Sequence, residues 1–378
     1  MGPLTLFLVA GEPSGDRLGA ALMEGLRTLR PGVAFAGVGG PLMQAQGLES
    51  LFPMEELSVM GLAEIAPRYL ALKARVRQTA AAVTSSGAAA LVTIDSPDFN
   101  LRVAAQARAA RPGLRTIHYV APSVWAWRPG RAARMARVID HVLALLPFEP
   151  PYMTAAGMTC DFVGHPVVAE PLATPAERAA FAGEGPLILA LPGSRRAEVE
   201  RLAPVIGAVL GMVKARHPAA RVALPTVPHV AGLVRDLSRG WPIPPRIVEE
   251  AGAKRGAFAA ADAALAASGT VSLELAANGV PMVIAYRPGW VTGWLIRRAA
   301  LIDTVTLVNL VSETRAVPEF LADRCRPALI APALLDLLEG GPAADAQRAA
   351  MRVTMERLGQ GGEPPGLRAA RSVLSRLP

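Results

Sequence analysis

Leu187-Ile188-Leu189-Ala190-Leu191-Pro192-Gly193-Ser194-Arg195-Arg196 is an apolar run of strand length that ends at a Pro-Gly pair and opens into a helical pattern. Beyond it Val199, Leu202, Ile206, Leu210 and Val213 recur at spacings of three and four, as on a helix with one apolar face. Pro204 is expected to bend that helix or make its early part irregular, because it lacks an N–H and crowds the preceding turn. A buried strand, a glycine turn and an amphipathic helix form the repeating unit of a parallel, doubly wound sheet.

The same unit recurs in both directions. Downstream lie apolar runs at Arg221–Leu224, Ala263–Ala266 and Pro281–Ala285; upstream lie Leu4–Val9, Ala34–Val38, Ala90–Ile94, Thr116–Val120 and His141–Leu145. A Pro- and Glu-containing stretch near 168–185 separates the two series, and 378 residues exceed what one core usually holds. The predicted fold class is therefore α/β, with two Rossmann-like domains facing a cleft. Their expected bounds are 1–168 and 169–340, with 341–378 forming helices, broken at Gly359–Pro365, that pack back on the first domain.

Composition narrows the class. With 52% hydrophobic and 19% charged residues the chain can fill its cores, which excludes a disordered protein. No apolar run reaches the ~18 residues a membrane span needs; Leu4–Ala10 lacks a basic lead and reads as the first strand of a cytoplasmic protein rather than a secretory signal. Cys160 and Cys325 are too few for a disulfide framework and lack zinc spacing. The net charge of +8 is almost wholly arginine, since only Lys73, Lys214 and Lys254 are lysines. It implies attraction to phosphates or anionic surfaces, or reflects a bias toward Ala, Arg, Gly and Pro.

Ligands of open α/β sheets bind beyond the carboxyl ends of the strands. There Gly193, Ser194 and Arg195 offer close backbone approach, free helix-start amides and a guanidinium fork, which suits a phosphate; a plain turn with solvated arginines is the alternative. Ser268, Gly269 and Thr270 repeat the pattern, so two anion cradles suggest a diphosphate. Glu274 follows one turn later, placed either for a ribose diol or to offset the helix dipole. In the first half Glu12 and Ser14 follow the first strand, where Ser14 also suits a helix cap. Asp95 and Asp98 follow another strand, as a general base or as turn formers. No Walker loop, complete Gly-x-Gly-x-x-Gly or Asp-x-Asp pair occurs, so no metal and no cofactor is expected. His165 sits near the domain junction. Tyr119, Trp125 and Trp127 precede Arg128, Arg131, Arg134 and Arg137, a pattern open to a phosphorylated lipid acceptor, single-stranded nucleic acid or core packing.

In chain order VAGEPSGD (9–16), SPDFN (96–100), YVAPSVWAWR (119–128), LPFE (146–149), VGHP (163–166), LPGSR (191–195) and ASGTVSLE (267–274) resemble the lipid-A-disaccharide synthases, inverting glycosyltransferases of GT-B architecture. That resemblance implies a UDP-2,3-diacylglucosamine donor, a 2,3-diacylglucosamine 1-phosphate acceptor, a β-1,6 linkage and release of UDP. It implies Asp98 as base with Glu12 beside it; Gly193, Ser194, Arg195, Ser268, Gly269, Thr270, Glu274, Asn309 and Glu319 on UDP; and Ser14, Val59, Met60, Leu62, Ile65, Trp125 and Arg128 toward the acylated acceptor. A homodimer on the anionic inner membrane, with no nucleic-acid partner, follows from it too. Two positions depart from the family pattern, Val308 in place of proline and Ala322 in place of glutamine. The rival expectations are another GT-B enzyme, such as a UDP-sugar epimerase, which would lack the Trp-Ala-Trp string, and a polyanion-binding protein, which leaves Asp95 and Asp98 without a role.

Overall fold

A computed structural model describes residues 4–57, 62–289 and 301–377, and the side chains of 62–68 lie outside that description. Twelve strands are formed among the described residues: β1 Thr5–Ala10, β2 Ala34–Val38, β3 Ala90–Ile94, β4 Arg115–Tyr119, β5 His141–Ala144, β6 Thr159–Phe162, β7 Leu187–Leu191, β8 Arg221–Pro225, β9 Pro245–Val248, β10 Ala263–Ala267, β11 Met282–Tyr286 and β12 Glu319–Leu321. They make two six-stranded sheets ordered β2-β1-β3-β4-β5-β6 and β12-β11-β10-β7-β8-β9, parallel throughout. The expected doubly wound α/β class is what forms.

Three strands had no counterpart in the sequence expectations: β6, β9 and β12. Each is an edge strand. A central parallel strand is covered on both faces and reads as an unbroken apolar run, as β7 and β10 do, whereas an edge strand is short and half-exposed. Thr159-Cys160-Asp161-Phe162 and Pro245-Arg246-Ile247-Val248 therefore carry no periodic signal. Helix Arg196–Arg216 runs through Pro204 without interruption, contrary to the irregular start expected.

The chain divides into one unit of Met1–Ala169 with Gly361–Pro378 and a second of Glu170–Gln360. Helix Pro342–Arg357 thus belongs to the second unit, where the Gln347 amide accepts from Met282 N and donates to Met282 O at the start of β11. Helix Pro365–Ser375 returns to the first unit and crosses helix Pro13–Leu29 at paired glycines. A Cβ on Gly25 would lie 2.6 Å from Gly366 O, and one on Gly366 would lie 2.5 Å from Ala21 O. Ala369, Ala370 and Val373 there complete a core with Leu18, Leu22 and Leu26. A polar seal closes the contact: Ser372 Oγ donates to Asp161 Oδ2 at 2.7 Å and meets His141 Nε2 at 2.8 Å.

Candidate functional site

Where strand order reverses in an open sheet, successive loops leave in opposite directions and open a crevice. In the first unit the reversal lies between β1 and β3, with Ala10 paired to Ile94, so the Gly11–Ser14 and Asp95–Asp98 loops flank it. In the second unit it lies between β7 and β10, with Leu191 paired to Ala266, so the Pro192–Arg196 and Ser268–Thr270 loops flank it.

The two first-unit loops are cross-linked. Ser14 Oγ donates to Asp95 Oδ2 at 3.3 Å, and Ser96 Oγ reaches Glu12 Oε1 at 3.5 Å. Asp95 and Ser96 both take left-handed backbone, φ 53° and 41°, which side-chain-bearing residues adopt at a cost. Asn100 stabilises the turn: its buried amide donates to Ile94 O at 3.1 Å and Asp95 O at 2.7 Å. With Asp95 held inside the turn, Asp98 faces outward, its side chain 95% exposed and 3.6 Å from Arg131 Nη2. Of the two sequence-predicted acids, Asp95 is tied into the turn and Asp98 is exposed beside Arg131.

A second brace lies beside this crevice. The loop after β4 carries Trp125, which is buried, and Trp127, on whose ring the Arg128 guanidinium stacks at 4.2 Å. The loop after β5 carries Glu149, a buried acid whose Oε1 accepts from Trp125 Nε1 at 3.2 Å and whose Oε2 accepts from Leu146 N at 3.0 Å. Burial pushes this carboxyl up to about 7. His165 is buried as well and held down to about 4; its Nδ1 accepts from Val167 N at 3.2 Å, which leaves the proton on Nε2 in the neutral ring.

In the second unit Gly193 sits at φ 112°, and a Cβ there would come 2.7 Å from Glu198 Oε2, so the turn needs glycine. Arg195, exposed at the start of helix Arg196–Arg216, pairs with Glu198 at 3.0 Å, and Ser194 O accepts from His229 Nε2 at 2.8 Å. Beyond β10, Gly269 and Thr270 are exposed, and Glu274 pairs with Lys254 Nζ at 2.6 Å. Asn309 and Glu319 hold internal hydrogen bonds around the loop that follows residue 301. Asn309 is fully buried, donating to Thr304 Oγ1 and Val317 O and accepting from Val317 N. Glu319 Oε1 accepts from Thr304 Oγ1, Val305 N and Thr306 N. Both residues hold the loop around helix Leu307–Ser312 from within. Val308 is buried there, and Ala322 takes φ 50°.

Val59 and Met60 lie outside the described residues, as do the side chains of Leu62 and Ile65. An open groove of about 690 Å³, lined by Arg178, Arg221 and Asp262 among others, sits at the opposite, amino edge of the second sheet. Arg221 is already taken up by carbonyls of Phe181, Gly183, Glu184 and Gly185. Sequence reasoning missed Asn100, Glu149, His229 and Lys254. Lys254 carried a faint signal, as one of only three lysines in an arginine-rich chain.

The family model described as lipid-A-disaccharide synthetase matches residues 6–363. The chain is 61% identical to the lipid-A-disaccharide synthase of Ruegeria pomeroyi, covering 99% of this chain and 96% of that one, and 49% identical to that of Rhodospirillum centenum, covering 99% and 95%. Among solved structures it is similar to UDP-GlcNAc 2-epimerase from Neisseria meningitidis, at TM-score 0.65 and 12% identity over 99% of both chains. MurG of Acinetobacter baumannii is similar at TM-score 0.56 and 16% identity, again over 99% of both. At such identities these structures speak for the fold, which epimerases and glycosyltransferases share; the matches of 61% and 49% decide between them. The chain belongs to the lipid-A-disaccharide synthase family, glycosyltransferases of lipid A biosynthesis.

Proposed function

We propose that this chain joins UDP-2,3-diacylglucosamine to 2,3-diacylglucosamine 1-phosphate through a β-1,6 linkage, with inversion and release of UDP. The observation that supports it most is Asp98, a solvent-facing acid on a braced turn at the first sheet's reversal point. In this reading the acceptor hydroxyl gives its proton to Asp98 as its oxygen bonds to the anomeric carbon. The bond from that carbon to the diphosphate breaks, and UDP leaves. Arg195 and the amides opening helix Arg196–Arg216 take up the growing phosphate charge, with Ser194, Ser268, Gly269 and Thr270 alongside and Glu274 toward the ribose. Asn309 and Glu319 contribute by shaping their loop. No metal is needed in this scheme.

Acylated substrates and the exposed Arg134 and Arg137 favour work at the anionic inner-membrane surface from the cytoplasmic side; the homodimer is carried over from the family resemblance alone. Among the described residues no helix is long and apolar enough to cross a membrane. Purified protein is expected to release UDP from the two substrates in the presence of a chelator. No release, or release only with added metal, would count against the scheme. Arg134→Glu with Arg137→Glu is expected to reduce sedimentation with anionic vesicles and not with zwitterionic ones; equal loss on both, or none, would remove the surface.

A further inference from the structure

The LPFE string, at residues 146–149, has no part in the scheme above, yet its acid is a buried carboxylate beside the first unit's crevice. Glu149 is 4% exposed. A carboxylate buried without a cation is costly unless its oxygens are used, and here both are: one by the Trp125 indole, the other by Leu146 N. An apolar residue would fill the same space without that cost. Trp125 is also gripped edge-on by Phe148, with ring centres 5.2 Å apart at 88°. The loop so held leaves β4 through Val120 at φ 86° and ends at Arg128 at φ 52°, two left-handed residues without the freedom of glycine. Such a loop keeps its form only when something outside it fixes it. Just beyond it Arg131, whose N bonds back to Arg128 O at 3.0 Å, reaches Asp98 at 3.6 Å.

We infer that Glu149 is a positioning residue: by holding the Trp125 indole it fixes the Trp127–Arg128–Arg131 segment that meets Asp98. The inference rests on the acceptor-side reading of Asp98 given above. Loss of the charge on Glu149 weakens the grip, because a neutral carboxyl accepts less strongly from the indole. Cys160 on β6 is the titratable neighbour that senses Glu149, and its own thiol is pushed up to about 12 and stays neutral. The other groups acting on Glu149 are Trp125 and the backbone of Leu145 and Leu146.

The experiment compares Glu149→Gln, Trp125→Phe and the double variant in the full chain. Glu149→Gln is expected to cut kcat/KM for the acceptor about tenfold, with UDP affinity by calorimetry unchanged. The wild-type rise in activity through pH 6–8 flattens in both single variants, and the double variant is no worse than the poorer single. Acrylamide quenching, which needs no turnover, reports a newly accessible indole in Glu149→Gln and not in Glu149→Gln/Trp125→Phe. A fall in melting temperature alone, with kinetics, pH profile and quenching unchanged, overturns the inference, as do additive losses in the double variant. Should Glu149→Gln fail to fold, Trp125→Phe carries the test, and an unchanged pH profile there overturns it. Failure of the wild type to release UDP refutes the proposed reaction instead, while the quenching result still judges the brace.

Discussion

At the residue scale the first unit separates two acids that one sequence motif had left equivalent. Asp95 is bound by Ser14 and by its own turn, and Asp98 projects into solvent. Asp98→Ala is expected to lower kcat by roughly 10²- to 10⁴-fold, the usual worth of a general base, while leaving UDP binding by calorimetry intact. Full turnover in that variant removes Asp98 from the chemistry. Asn309 makes a different expectation. Its three side-chain hydrogen bonds are internal, so Asn309→Ala is expected to cost on the order of 2 kcal/mol of second-unit stability. An unchanged denaturant midpoint with weakened UDP binding would instead make Asn309 a direct ligand contact. The exposed Arg195 should show the reverse pattern, with Arg195→Ala weakening UDP binding and leaving the midpoint in place.

At the scale of elements the central strands were legible because burial on both faces writes itself as consecutive apolar residues, as in Leu187–Leu191 and Ala90–Ile94. The edge strands β6, β9 and β12 were not, since half-exposed backbone pairing leaves no such trace. The loops of the candidate site were legible by their glycines, acids and arginines. The residues that brace those loops were not, because Glu149 and His229 act through partners far along the chain, Trp125 and Ser194, and Asn100 acts through backbone carbonyls that side-chain spacing does not reveal. Pro204 misled in the other direction: helix Arg196–Arg216 buries Val199, Leu202, Ile206 and Leu210, and that packing outweighs one missing hydrogen bond. The crossing of helices Pro13–Leu29 and Pro365–Ser375 has no such tolerance. Gly366→Val would drive a side chain into the Ala21 carbonyl, and a loss of at least ~1–3 kcal/mol in first-unit stability is expected, read as a lowered denaturant midpoint. A midpoint within error of wild type would mean that the two helices can part to admit the side chain.

At the scale of the molecule, the histidines held down by burial all lie in one unit. His118, His141 and His165, all in the first unit, are held down to about 4 chiefly by burial. Their unfolded forms take up protons near 6.5 and the folded forms only near 4, so the stability they confer is whole above about 6.5 and drains away as pH falls toward 4. Glu149 works the other way: held up at about 7, it favours the folded state most at low pH and loses that contribution between about 4.5 and 7. Three groups outweigh one. Calorimetry between pH 4.5 and 7 is expected to show the first unit's transition climbing with pH, and climbing more steeply in Glu149→Gln. A first-unit transition that stays level in the wild type would contradict the burial of these histidines.

The return of helix Pro365–Ser375 to the first unit carries a consequence for synthesis. When β1 to β6 have left the ribosome, the Ala21–Gly25 face of helix Pro13–Leu29 still lacks the helix that packs on it, and nearly two hundred residues of the second unit, Glu170–Gln360, must follow before that partner is made. For that interval the nascent chain carries an open apolar face, a natural hold for a chaperone. A message cut short before codon 365 would yield a protein whose second unit can mature while its first stays unsealed. Degradation of such truncated chains, with sparing of the full-length form, is the cellular signature this architecture leads one to expect.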